Sequence, residues 1–418
     1  MGRPVLTAEI LAVGSELLGL HRLDTNSLFL TGRLNDIGID IRVKTVVSDD
    51  AQILGAVLTE ALGRADVVIT TGGLGPTADD LTREAVAAVL NLPLEEDARV
   101  LAAIQARFER RRIRMPEANR RQAAVPRGAT VIANSAGTAP GLWIEAGEKV
   151  VVLLPGPPRE LEPMFDASVW PRLQALSAGR RVRRRVIRVA GRPESLVEDI
   201  AHPIYAPLST GSTPIETTIL ASPGLIELHV SARGSDIVAM DDALDRAVAA
   251  LAAALEPAVV SVDGRPLEVV VGDALRERGW RVGVAESCTA GLVLGRLTEV
   301  PGSSGWVVGG VVAYANDVKR SELDVPADLL AAHGAVSEPV AQAMAAGVRA
   351  RLGAEVGVAV TGIAGPGGGS DAKPVGTVVI AVTTPHAATV RTFLFLGDRP
   401  MIRTQSVVAA LDMVRRGV

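Results

Sequence analysis

A hydroxyl, an amine and a guanidinium fall at three strand-to-helix junctions in the last third of the chain. Glu286-Ser287-Cys288-Thr289 separates an apolar run from a helical pattern, Tyr314 closes a second run with Lys319 five residues on, and Asp398-Arg399 opens the last helical pattern. A serine at such a turn lies beside backbone N–H groups that no helix bond uses, and these can hold an oxyanion while the hydroxyl attacks a carbonyl. The plainer role for a serine there is a helix cap. An attacking serine needs a base, and no histidine is its neighbour in sequence. A lysine of depressed pKa, or a tyrosine beside one, can take the proton, and an arginine suits a substrate phosphate. Lysine occurs only four times, at Lys44, Lys149, Lys319 and Lys373, so two of the four lie beside these motifs. Cys288 competes as nucleophile, because a helix N-terminus lowers a thiol's pKa. A cysteine buried against a strand is the commoner arrangement.

The first half offers different chemistry in DVVITTGGLGPTADDLT. An apolar strand ends at Thr71, a glycine turn carries Gly72, Gly73 and Gly75, and Thr77, Asp79 and Asp80 stand where a helix begins. Glycines let backbone N–H groups approach a phosphate, and a helix N-terminus favours the anion. Carboxylates in an anion site fit a divalent cation that bridges them to phosphate, although aspartates at a helix start also serve as plain caps. The turn matches neither GxxxxGK[ST] nor GxGxxG. Gly14-Ser15-Glu16, Ser48-Asp49-Asp50 and Leu154 to Glu160 follow other strands. In doubly wound sheets ligands bind at the carboxyl ends of strands, so these loops are expected to converge.

The elements that must hold these residues alternate. Strands are expected at 9–13, 40–47, 66–71 and 149–154, with helices at 25–37, 51–63 and 80–90 between them, which predicts a doubly wound parallel α/β domain over residues 1–175. Residues 95–112 read as one long surface helix. Residues 176–262 read as a small α+β domain whose first strand is basic, RRVRRRVIR, and it carries no chemical motif. A second α/β pattern fills 263–418.

Composition excludes several classes. The 418 residues are 48% hydrophobic and 22% charged, so the chain is globular rather than disordered. The net charge of −4 and few aromatics argue against a nucleic-acid binder, a DNA-uptake or recombination accessory included. A single cysteine forbids an internal disulfide, and the five histidines are too widely spaced for a zinc site or a relay. No apolar run is long enough for a membrane helix, and Glu9 interrupts the only apolar stretch near the N-terminus, so a cytoplasmic protein is expected. Alanine- and glycine-rich helices suit close packing between copies, so a homodimer is expected.

VGSELL, DTNS, TTGGLGPTADD and LPGPPRE together resemble the molybdopterin-binding-type domain at the N-terminus of the competence/damage-inducible protein A family. AESCTAG, YAN, HGAVSEP, TGIAGPGGGSDAKPVGTV and GDR resemble that family's C-terminal domain, which is similar to nicotinamide mononucleotide amidohydrolases. The resemblance implies a bifunctional enzyme of pyridine-nucleotide salvage. Its C-terminal domain would deamidate nicotinamide mononucleotide with no cofactor, and its N-terminal domain would hydrolyse ADP-ribose with a divalent metal. The alternative is an N-terminal domain that binds a nucleotide or a pterin without turnover. In this reading Ser287 is the nucleophile, Tyr314 and Lys319 the proton-transfer pair, and Arg399 a phosphate- or carboxamide-positioning group. Glu286, Thr289, Asn316, Thr361, Gly362 and Gly365 would line that substrate. In the first half Asp49, Asp80 and Asp79 would hold the metal, and Glu16, Asn26, Gly72, Gly73, Gly75 and Thr77 the substrate. Two departures stand out: Ser48-Asp49-Asp50 replaces the more usual Gly-Asp-Asn, and Ala290 stands where the family usually has glycine.

Overall fold

Apolar residues that run without a polar break make central parallel strands, because both faces of such a sheet are covered by helices. In the computed structural model, which describes residues 6–418 except 21 and 178, two sheets are built this way. The first half runs β1 (Thr7–Val13), α1 (Thr25–Asp36), β2 (Asp40–Val47), α2 (Ala51–Arg64), β3 (Val67–Thr71) and α3 (Thr82–Val89). It continues through β4 (Leu94–Glu96), α4 (Ala98–Arg110), β5 (Ala124–Pro126), β6 (Thr130–Ile132), β7 (Gly141–Ala146), β8 (Lys149–Leu154), α5 (Pro158–Met164) and α6 (Trp170–Leu176). The six-stranded sheet has the order β2-β1-β3-β8-β7-β6. Its first four strands are parallel, and β7 and β6 are antiparallel additions. The sheet is therefore mixed, where a purely parallel one is expected from the sequence. The expected helix over 95–112 is cut at its start: Leu94–Glu96 pairs with β5 as a strand, and Asp97 caps α4 by accepting from the N–H groups of Arg99 and Val100.

β1 shows how burial constrains a polar residue. Glu9 is fully buried, and the Arg64 guanidinium donates to both of its oxygens, at 2.8 and 3.0 Å. The fork satisfies the carboxylate that hydropathy alone would place in solvent.

The middle segment has β9 (Arg181–Ala190), α7 (Glu194–Tyr205), β10 (Ile215–Ser222), β11 (Leu225–Gly234), α8 (Ile237–Leu255) and β12 (Val259–Ser261), in a four-stranded sheet of order β10-β11-β9-β12. The last third has α9 (Leu267–Arg278), β13 (Val282–Glu286), α10 (Leu292–Thr298), β14 (Val307–Val312), α11 (Asn316–Leu323), α12 (Ala327–His333) and α13 (Glu338–Leu352), then β15 (Val356–Gly362), β16 (Thr377–Thr383), β17 (Ala388–Leu394) and α14 (Arg399–Gly417). Its sheet has the order β14-β13-β15-β16-β17, with β14, β13 and β15 parallel and the last two antiparallel. The chain divides into two compact units, Met1–Arg183 with Arg233–Ile237, and Arg184–Ala232 with Val238–Val418. Among the described residues no helix is long and apolar enough to cross a membrane.

Candidate active sites

The C-terminal site forms where β13 and β14 end side by side. Ser287 follows β13 directly, and its N–H donates to the carbonyl of Val360 on β15. The chain then turns through Ala290 and Gly291, both at positive φ (52° and 96°), before α10 begins. A methyl-bearing residue costs about 1–2 kcal/mol in that region and glycine almost nothing. Ala290→Gly should therefore raise stability by about 0.5–1 kcal/mol after the added chain entropy of glycine, read as a shift in the denaturation midpoint.

Glu286 does not face substrate, as its neighbourhood in sequence suggests. It is buried, and its carboxylate accepts from the N–H groups of Gly291, Val293 and Leu294 at 2.9, 3.1 and 2.9 Å. These are the donors a helix start leaves open, so Glu286 caps α10 and pins the turn. The free donors lie earlier. The N–H groups of Cys288 and Thr289, the two residues after the serine, have no backbone acceptor among the described residues, and such open donors are what an oxyanion cradle requires.

Lys319 lies in the first turn of α11 and reaches back into the protein. The residue is 1% exposed, and Nζ is 3.3 Å from Ser287 Oγ, 2.8 Å from the carbonyl of Ala313 and 3.3 Å from that of Tyr314. Burial pulls its pKa below the ordinary lysine value. The ammonium donates to all three oxygens; once neutral, the amine would keep its bonds to the two carbonyls and turn a lone pair to the serine proton. Ser287 itself is 9% exposed. Burial pushes the Cys288 thiol up to about 11, against the lowering expected at a helix start.

Tyr314 and Lys319 are not paired through the phenol. The tyrosine ring is 59% exposed, and its hydroxyl accepts from Arg399, 3.2 Å away, while only its backbone carbonyl meets the lysine. Arg399 also donates to the carbonyl of Gly365, 2.8 Å away. Thr361 is buried and donates to Ala335, Thr289 is fully buried, Gly362 ends β15, and Asn316 is exposed at the start of α11. The sequence reading missed Arg403. It sits one turn after Arg399 on α14 and donates to the carbonyl of Thr289, 2.8 Å away. The spacing of four from Arg399 was the available signal.

The N-terminal site gathers the loops after β1, β2, β3 and β8 around a cavity of about 360 Å³, reached by Glu16, Asp49, Asp79, Asp80 and the glycine turn. Ser15 and Asp49 bind each other, the serine N–H donating to the carboxylate at 2.7 Å and the Asp49 N–H to the serine hydroxyl at 3.1 Å. Asp50 caps α2. Asp80 lies before α3 rather than in it, because Leu81 is the cap residue. Its two oxygens accept from the N–H of Gly75 (2.7 Å), the N–H of Thr77 (2.9 Å) and the Thr77 hydroxyl. Asp79 is exposed, and a hydrogen bond from Thr77 lowers its pKa.

All three glycines of the turn are required by packing: a Cβ on Gly73, at φ 64°, would lie 2.1 Å from the Thr82 hydroxyl oxygen. A Cβ on Gly72, at φ 95°, would lie 2.2 Å from the Val13 carbonyl, and one on Gly75 would lie 2.4 Å from the Asp80 carboxylate. The N–H of Gly72 donates to Leu154. The donors left to an anion are those of Gly73 and Leu74, which have no backbone acceptor among the described residues. Gly72→Ala should cost about 3 kcal/mol through this clash, seen as early unfolding of this unit in urea.

Among the described residues no three His, Cys, Asp or Glu side chains converge to hold a metal alone. Asp80, expected as a ligand, spends its carboxylate on the turn. Asp49 keeps Oδ1 without a donor among the described residues, and with Asp79 it offers the one or two hard oxygens that suit a small divalent ion completed by substrate phosphates.

Residues 264–418 match the profile described as "CinA C-terminal domain", and residues 9–175 that described as "Probable molybdopterin binding domain". A "CinA-like protein" of Koribacter versatilis is 43% identical over 98% of this chain and 99% of its own length. Another, of Acidobacterium capsulatum, is 44% identical over the same shares. The crystal structure of the competence/damage inducible protein CihA from Agrobacterium tumefaciens is 42% identical, covering 35% of this chain and 93% of its own, with a TM-score of 0.35. A chain with an N-terminal molybdopterin-binding-like α/β domain and a C-terminal α/β domain is thus matched from end to end by its relatives. It belongs to the CinA family.

Proposed function

We propose that the C-terminal site is a serine–lysine amidohydrolase that converts nicotinamide mononucleotide and water to nicotinate mononucleotide and ammonia. The observation that carries this reading is the buried Lys319 amine 3.3 Å from Ser287 Oγ. Ser287 Oγ attacks the carboxamide carbon as its proton passes to Lys319. The developing oxyanion takes hydrogen bonds from the N–H groups of Cys288 and Thr289. Lys319 returns the proton to the leaving nitrogen, ammonia departs, and water, activated by the same amine, cleaves the acyl-enzyme. Arg399, held by Tyr314 and Gly365, supplies positive charge for the substrate phosphate. The test is a product assay on the full chain. Nicotinate mononucleotide and ammonia should appear in equal amounts, with or without a chelator; no ammonia would end the proposal.

For the N-terminal site the reading is binding and metal-dependent hydrolysis of ADP-ribose, giving AMP and ribose 5-phosphate. When bound, a divalent ion held by Asp49 and Asp79 would polarise a phosphoryl oxygen and acidify a water. Gly73 and Leu74 would donate to the phosphates. A second reading, binding without turnover, is favoured by the saturated carboxylate of Asp80. AMP release that requires added metal decides for hydrolysis, and binding without AMP release decides for the second reading.

A further inference from the structure

The turn from β13 into α10 is tied down at nearly every backbone donor. The N–H of Ser287 goes to Val360, that of Ala290 to Ser287 and that of Leu292 to Thr289. Glu286 takes those of Gly291, Val293 and Leu294. Only Cys288 and Thr289 keep open N–H groups among the described residues. Open donors favour an oxyanion strongly only when they are held in place before it forms. Apart from Glu286, a single side chain among the described residues bonds the backbone of this turn. Arg403, on α14, donates from Nη2 to the carbonyl of Thr289, 2.8 Å away. The same oxygen takes the N–H of Leu292, so both bonds meet on the residue that carries the second open donor.

Two further observations set Arg403 apart from a surface arginine. Its Nε is buried with no acceptor among the described residues. A buried N–H left in this way costs stability, and such local conflicts belong to functional sites rather than to plain scaffold. Its charge also reaches the turn. Burial dominates at the Cys288 thiol and pushes it up, but the charges of Arg403 and Arg399 act the other way and favour the ionised form. Negative charge developing over the same turn is favoured alike. We infer that Arg403 is the positioning residue of the oxyanion cradle: it holds Thr289 by its carbonyl, so that the open N–H groups of Cys288 and Thr289 stay in place for the developing anion. The inference rests on the serine–lysine reading and adds what keeps its cradle preorganised. Arg403 acts through the backbone and not on the substrate.

The experiment compares the full-length parent with Arg403→Met, which loses donor and charge, and Arg403→Lys, which keeps both. Ammonia release from nicotinamide mononucleotide is followed across substrate concentration and pH. Hydrogen exchange is measured at the amides of Ala290 and Leu292, whose bonds close the turn. In Arg403→Met kcat should fall about 10- to 100-fold with KM within about twofold of the parent, because the cradle binds the transition state and not the ground state. The pH at which kcat/KM levels off should stay where it is, since Lys319 is untouched. Exchange at the two turn amides should quicken about tenfold while β13 and β15 keep the parent's rates. Arg403→Lys should recover most of the lost kcat. A kcat within about twofold of the parent in Arg403→Met, a loss carried by KM, or no recovery in Arg403→Lys would each overturn the inference. Exchange that quickens throughout β13, β15 and α14 would also overturn it, reducing Arg403 to a structural prop. A parent that releases no ammonia would end the amidase reading. The exchange comparison then decides alone: unchanged turn amides overturn the inference, and selectively faster ones uphold it.

Discussion

On the proposed amidohydrolase mechanism, Ser287→Ala should lower ammonia release from nicotinamide mononucleotide by about 10³-fold or more, while Cys288→Ala should stay within about twofold of the parent. The magnitude is that of deleting a nucleophile whose base and oxyanion donors remain in place. The asymmetry follows from geometry. Ser287 Oγ faces the lysine amine, whereas Cys288 is 5% exposed and packs in the apolar core with Val284, Val293 and Val360. Both variants should melt close to the parent, because neither side chain caps a helix or fills much volume. Activity that survives Ser287→Ala but is lost in Cys288→Ala would transfer the reaction to sulfur.

In the proposed mechanism Lys319 sets the pH dependence. Burial disfavours the ammonium, so the amine becomes neutral below the ordinary lysine value of 10.5. Only the neutral form accepts the serine proton, so kcat/KM should rise with pH and level off once the lowered pKa is passed. Lys319→Arg stays protonated throughout and should lose about 10³-fold or more without rescue at high pH. Stability carries the same signature. Between the lowered pKa and 10.5 the unfolded chain binds more protons at this position than the folded one. That contribution therefore raises stability as pH rises through the window. Cys288 acts oppositely between 9.0 and about 11, because its folded form holds the proton longer. The difference in unfolding free energy between parent and Lys319→Met isolates the lysine. An inflection in kcat/KM that persists in Lys319→Met would assign it to another group.

The central strands β1, β3 and β8 were legible because they are buried on both faces and read as short apolar runs. The expected strands at 40–47 and 149–154 match the observed limits of β2 and β8. The antiparallel strands β6 and β7 were not legible: Thr130–Ile132 is three residues long, and GLWIEA has no alternation to separate it from a loop. Site residues named by type and spacing divided along physical lines. Ser287, Lys319 and Arg399 meet at strand ends, where topology alone brings them together. Glu286 and Asp80 tie down their own turns, which the sequence did not show, because a carboxylate beside glycines has the same sequence signature whether it does that or faces a ligand. Arg403 gains its meaning from a contact across the fold, with Thr289 114 residues away.

The position of Cys288 also sets what can poison the C-terminal site. With its pKa near 11, only about one thiol in ten thousand is ionised at neutral pH. Peroxide and alkylating reagents attack the thiolate, so they find almost none beside the reacting oxygen. Under the proposed mechanism, catalysis by the neighbouring hydroxyl would thus be insulated from oxidants that silence cysteine hydrolases, although the two side chains are adjacent in the chain.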